Sequence, residues 1–153
     1  MTKKDGSSLR GALEVLKEKN ELKTISKEID PIYEISGLLK SLDEGPALLF
    51  ENIKGYPGVR DVGNLLCTRE KISQIFNLEV GNPKELLQWG RRGLMKPTAP
   101  RVIERAPCQE AVITENIDIL ETLPVLKHTE ADVGRIIGSG NYLISVKYFE
   151  DGK

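Results

Sequence analysis

The sequence predicts a mixed α/β domain, and three observations carry that expectation. Apolar stripes at helical spacing, each preceded by a capping residue, alternate with short extended runs. One of those runs, Ala47-Leu48-Leu49-Phe50, is continuously apolar and follows Gly45-Pro46, the pattern of a strand covered on both faces. Beyond Lys96-Pro97-Thr98-Ala99-Pro100 the character changes to strand-like segments with little helical periodicity. Two prolines in four residues oppose both helix and ladder, so a domain boundary is placed at this linker.

In chain order, Leu9, Ala12, Leu13 and Leu16 fall at i, i+3, i+4 and i+7 with Ser7 or Ser8 placed to cap, which predicts a surface helix from 9 to about 20. Residues 22–29 are expected to be extended, because Thr24, Ile25 and Ile29 favour that backbone while the lysines between them point outward. Asp30-Pro31 supplies an N-cap and a first helical proline for a second helix, whose apolar stripe is Ile32, Ile35, Leu38, Leu39 and Leu42. The run 47–50 is the expected central strand. Lys54-Gly55-Tyr56-Pro57-Gly58 is a turn cluster, and residues 59–66 are expected to form the neighbouring strand. Thr68 caps a third helix through Ile72, Ile75 and Phe76, and Asn82-Pro83-Lys84-Glu85 opens a fourth through Leu86, Leu87 and Trp89. After the linker, 111–114 and 142–149 read as strands.

A chain of 153 residues holds one ordinary domain, or one domain and the start of another, and buries a core without disulfides or metals. With 22 Lys and Arg against 23 Asp and Glu, the net charge of −1 gives no basis for a nucleic-acid or anionic-membrane surface. No apolar run approaches the ~20 residues of a membrane span and no signal-peptide core follows the N-terminus, so a cytoplasmic location is expected. Cys67 and Cys108 are accordingly expected to be reduced, with Cys108 structural.

The residues that carry chemistry gather between 105 and 141. His128, the only histidine, stands with Glu130 and Asp132, types suited to proton transfer or to metal ligation. No second histidine or cysteine lies at ligand spacing, so no metal ligand is assigned. Gly134, Gly138 and Gly140, with Ser139, precede an apolar run, which suits either close backbone approach to a phosphate or flavin edge, or a turn that needs glycine. The spacing matches neither the dinucleotide fingerprint nor the P-loop. Arg91 and Arg92 near a helix end suit its dipole without any ligand.

Several motifs in order along the chain resemble those of UbiD-like decarboxylases. They are Glu21-Leu22-Lys23-Thr24-Ile25, the run from Gly45-Pro46-Ala47 through Glu51-Asn52-Ile53-Lys54-Gly55-Tyr56, Gly63-Asn64-Leu65-Leu66-Cys67-Thr68-Arg69-Glu70, Arg105-Ala106-Pro107-Cys108-Gln109-Glu110, Leu123-Pro124-Val125-Leu126-Lys127-His128-Thr129-Glu130 and Gly134-Arg135-x-Ile137-x-Ser139-Gly140. The resemblance implies an N-terminal α/β domain over 8–100, followed over 101–153 by the first strands of a split β-barrel domain that binds flavin. It implies prenylated FMN with a divalent metal (Mn2+ or Mg2+) as cofactor, an aromatic or α,β-unsaturated carboxylic acid as substrate, and a homo-oligomer or a partner subunit. The modified flavin serves such enzymes as an electron sink, since the carbanion that loss of CO2 leaves on sp2 carbon is too unstable to form unaided. Ser139, Gly140 and Asn141 are the implied cofactor contacts. Ile136 and Gly138 stand where the family more often has Tyr and Thr. The arginine and glutamates that assist catalysis, and the metal ligands, belong to later motifs, so no catalytic residue is assigned in this chain. A non-catalytic subunit that completes a partner is the alternative reading.

From 142 to 149, Tyr142, Ile144, Val146 and Tyr148 share one face of the expected strand, and Asp151-Gly152 suits a two-residue hairpin turn. The returning strand is not in the sequence, so this edge is expected to fray, self-associate or pair with a segment beyond Lys153.

Overall fold

The computed structural model describes residues 6–99, 102–105 and 109–136. Its elements run α1 (Leu9–Glu18), β1 (Leu22–Ile25), α2 (Glu34–Ser41), β2 (Ala47–Phe50), β3 (Asp61–Gly63), α3 (Arg69–Ile75), α4 (Pro83–Met95) and α5 (Ile119–Thr122). The mixed α/β class is therefore observed. The three strands form one sheet in the order β1-β2-β3, and the apolar run 47–50 is its centre. β1 runs parallel to β2 with Leu22 opposite Ala47 and Ile25 opposite Phe50. β3 runs antiparallel to β2, with Leu48 opposite Gly63 and Phe50 opposite Asp61.

Alternation along β2 divides the core between the two faces of the sheet. Leu48 and Phe50 pack with Ile35 of α2 and with Ile29, Ile53 and Tyr56. Ala47 faces the other way, into a cluster with Ala12 and Leu16 of α1 and Ile75 of α3. Leu16, Ile35, Ala47, Leu48 and Phe50 are fully enclosed.

Local chemistry sets most helix starts. Ser8 Oγ accepts from Gly11 N at 3.1 Å, Thr68 Oγ1 from Lys71 N at 3.2 Å and Asn82 Oδ1 from Glu85 N at 3.1 Å, which settles the caps of α1, α3 and α4. Pro83 occupies the first turn of α4, where its missing N–H costs nothing. Phe76 and Trp89 stack with ring centroids 4.4 Å apart and join α3 to α4.

Four expectations change. The second helix begins at Glu34, not at Pro31. Asp30 Oδ1 does accept from Ile32 N at 2.8 Å, but Ile32 then pairs in parallel with Lys127, and Tyr33 N donates to Lys127 O at 3.0 Å. A long-range ladder thus holds residues 31–33 out of the helix, and Tyr33 turns the chain into α2 at φ 70°. The extended segments expected over 22–29 and 59–66 shorten to β1 and β3, the parts that pair with β2, and Ile29 adds one isolated parallel bridge to Ile53. Residues 111–114 form no strand; Val112 and Ile113 are exposed, with no strand partner among the described residues. The single-turn helix α5 was not anticipated, being too short for periodicity, although Asp118 Oδ1 accepts from both Leu120 N and Glu121 N. The strand expected over 142–149 lies outside the described residues.

Candidate functional site

The stretch after α5 returns to the first layer and is held there by backbone pairing. Lys127 N donates to Pro31 O at 3.3 Å, while Leu126 pairs antiparallel with Ile136, whose N–H donates to Leu126 O at 2.9 Å. Ser36 Oγ, buried on α2, lies 3.4 Å from Lys127 O and 3.3 Å from His128 O. Tyr56 is the second anchor. Its hydroxyl donates to Leu120 O and accepts from Arg135 Nη1 at 2.8 Å. Val125 is buried and Leu126 packs on the Phe50 cluster, so Leu123-Pro124 is the corner at which the chain enters the core.

Between this return and β3 lies a groove of about 840 Å³. Val59, Val62, Leu123 and Leu126 give it apolar walls, and Arg60, Asp61, His128 and Asp132 are its polar members. Asp61 is half-buried, and burial raises its carboxyl above the usual 3.8, against a hydrogen bond from its neighbour Val62 N at 2.7 Å. It therefore holds its proton to higher pH than an ordinary aspartate. No sequence signal singled out Asp61, since only the sheet register brings it to face the return segment.

Asp132 has a different task. Its Oδ2 accepts from His128 N and Thr129 N, both at 2.9 Å, and its Oδ1 accepts from Thr129 Oγ1 at 3.0 Å. The Thr129 backbone bond is the largest influence holding its carboxyl below the usual range. His128 Nδ1 lies 4.0 Å from Asp132 Oδ2, so the pair named by sequence does meet, with the carboxylate committed to folding the loop. Among the described residues no three His, Cys, Asp or Glu side chains gather as a metal site. The proposed cofactor contacts Ser139, Gly140 and Asn141, and Cys108, lie outside the described residues.

The Gly63-Asn64 motif serves the fold. A Cβ on Gly63 would run into the Leu39 side chain, so glycine lets β3 lie close under α2. Asn64, at φ 56°, donates from Nδ2 to Leu39 O and Leu42 O, both at 2.9 Å, and thereby satisfies carbonyls at the end of α2.

A sheet with α2 on one face and α1 and α3 on the other agrees with the mixed α/β domain that the motifs implied. The model of the 3-octaprenyl-4-hydroxybenzoate carboxy-lyase N-terminal domain matches residues 13–89. The chain belongs to this UbiD family. It is 33% identical to an uncharacterised protein of Synechocystis over 94% of this chain and 33% of that one. Against the phenolic acid decarboxylase of Sedimentibacter hydroxybenzoicus it is 28% identical over 94% of this chain and 31% of the relative. An evolved dimeric form of the UbiD-class enzyme HmfF from Pelotomaculum thermopropionicum, solved with prenylated FMN, superimposes with a TM-score of 0.76 at 36% identity. That match covers 84% of this chain and 29% of HmfF. The chain thus spans about a third of the length of the curated relatives it matches.

Proposed function

We propose that this chain is the N-terminal portion of a UbiD-like carboxy-lyase that decarboxylates, or reversibly carboxylates, an aromatic or α,β-unsaturated acid with prenylated FMN. The observation that carries the reading is the likeness to HmfF, which was solved with that cofactor, over most of this chain. Residues 8–100 are the α/β domain and 101–153 open the flavin-binding domain. Exposed apolar side chains at Val102, Val112, Ile113, Ile117 and Ile119 support this division, since a segment that awaits the rest of a domain leaves such surface uncovered. A homo-oligomer or a partner subunit, and a cytoplasmic setting, accompany the reading; among the described residues no helix is long and apolar enough to cross a membrane.

The described residues do not by themselves fit the cofactor. Arg60 is the one lysine or arginine lining the groove, and no metal cluster exists among them, so neither a flavin phosphate nor its metal has a complete set of partners here. Prenylated FMN would supply the electron sink for decarboxylation. The part proposed for this chain is narrower: Ser139, Gly140 and Asn141, which follow Ile136 at the groove, line one edge of the flavin site, while Asp61 and His128 polarise the groove beside it.

The test is release of CO2 from aromatic and cinnamic-type acids by this chain assembled with the polypeptide that supplies the remaining length of the family, whether continuous or separate. Gly140→Val in that assembly is expected to lower both flavin occupancy and rate. Unchanged occupancy and rate would remove Gly140 from the site.

A further inference from the structure

Cys67 and Lys71 form a pair that neither the groove nor the family match explains. Cys67 is exposed and unbridged, directly before Thr68, the N-cap of α3. Lys71, one turn later, is only 2% exposed. Its Nζ donates to the Gly45 carbonyl and lies 2.9 Å from Cys67 Sγ. Among the described residues it makes no ion pair with a carboxylate. Lysines ordinarily bury the stem and keep the head in water. Enclosing the head with no counter-charge is costly. A buried amine aimed at an accessible thiol is therefore an observation separate from the cysteine itself, and it points to a reaction between the two.

We propose that Cys67 and Lys71 are an oxidation-sensitive pair that closes a sulfenamide bond when the thiol meets a peroxide. In the first step the Cys67 sulfur takes one oxygen from the peroxide, becoming a sulfenic acid, while a hydroperoxide is reduced to the alcohol or hydrogen peroxide to water. In the second, Lys71 Nζ, having released one proton to solvent, attacks sulfur with its lone pair. The S–O bond breaks, and the hydroxide leaves as water with a second amine proton. The net change is loss of one hydrogen from sulfur and one from neutral nitrogen, and no further oxidant is consumed. The product replaces a buried ammonium with a neutral link and blocks further oxidation of Cys67. Two thiol equivalents return the pair to its starting state: the first attacks sulfur and expels the amine, leaving a mixed disulfide, and the second reduces that disulfide to free Cys67.

Intact-mass measurement decides the matter in the full chain carrying Cys108→Ser, which excludes an internal disulfide of the same mass. After treatment with hydrogen peroxide the monomer is expected to lose about 2 Da, peptide mapping to place the link between positions 67 and 71, and dithiothreitol to restore the original mass. With Lys71→Met added, oxidation is expected to stop at a sulfenic acid that dimedone traps. The proposal is overturned if Cys67 in the chain that retains Lys71 simply gains oxygen, forms only an intermolecular disulfide, or links to Lys71 through a retained oxygen. Those masses are read without the Lys71 variant, so a folding defect in it leaves the result intact.

Discussion

Asp61 and Asn64 stand three residues apart and show how position decides what a polar side chain does. Burial raises the Asp61 carboxyl above 3.8. The unfolded chain then gives up this proton first, so the penalty of ionising Asp61 in the fold grows as pH rises from 3.8 through the raised value and persists above it. Asp61→Asn is accordingly expected to raise the thermal midpoint near neutral pH and to match the unaltered protein below about pH 3, as scanning calorimetry would show. A lower midpoint at neutral pH would mean that the charge is compensated. Asp132 has the opposite sign. Its carboxyl is held down by its loop bonds, so its contribution is complete above 3.8 and is lost as pH falls through the depressed value. Asn64 ties off α2 and occupies a left-handed backbone position. Asn64→Ala forfeits both bonds and puts in the left-handed position a residue that tolerates it less well than Asn, an expected loss of roughly 1–3 kcal/mol in urea denaturation.

At the scale of elements, the fold depends on a strand-like return that no local pattern marks. Residues 31–33 carry a helix start signal, yet the backbone pairing with Lys127 prevails because it satisfies backbone groups on both segments and seats Leu126 on the Phe50 cluster. Tyr56 binds α5 and Arg135 to the same layer through one hydroxyl. Removing only that oxygen with Tyr56→Phe keeps the ring in the core, and is expected to cost about 1 kcal/mol. Hydrogen exchange is expected to quicken at Ile136 more than at Leu48 or Phe50. Equal protection throughout would show that the backbone ladder alone holds the return. Gly63 offers a complementary probe. Gly63→Val forces Leu39 aside and is expected to destabilise by roughly 1–3 kcal/mol, with the loss centred on α2.

For the molecule as a whole, two unlike surfaces coexist. The sheet is covered on both faces by residues that are essentially enclosed, while Leu87, Leu94 and Met95 on α4, and Val112 and Ile113 beyond the linker, are exposed. The packing on both faces of the sheet is thus closed, while these exposed side chains are apolar surface of the kind that interfaces cover. The 153-residue chain by itself is expected to melt cooperatively but to release no CO2 from aromatic acids, even with prenylated FMN and Mn2+ supplied. Turnover by the isolated chain, followed by substrate absorbance, would place the catalytic groups within it.

Much of the architecture was legible because it is local. Ser8, Thr68 and Asn82 each cap a helix by reaching an N–H three residues away, and the apolar run 47–50 needs cover on both faces wherever it lies. The motif residues Gly63 and Asn64 likewise answer a close approach and an orphaned helix end in this fold. Sequence alone therefore determined helices α1, α3 and α4, the central strand and the family. Tertiary structure decided where α2 begins and that Asp61 shares a groove with His128. Each of these depends on a partner far along the chain, and the gain from pairing or burial at a distance has no trace in the local spacing of side chains.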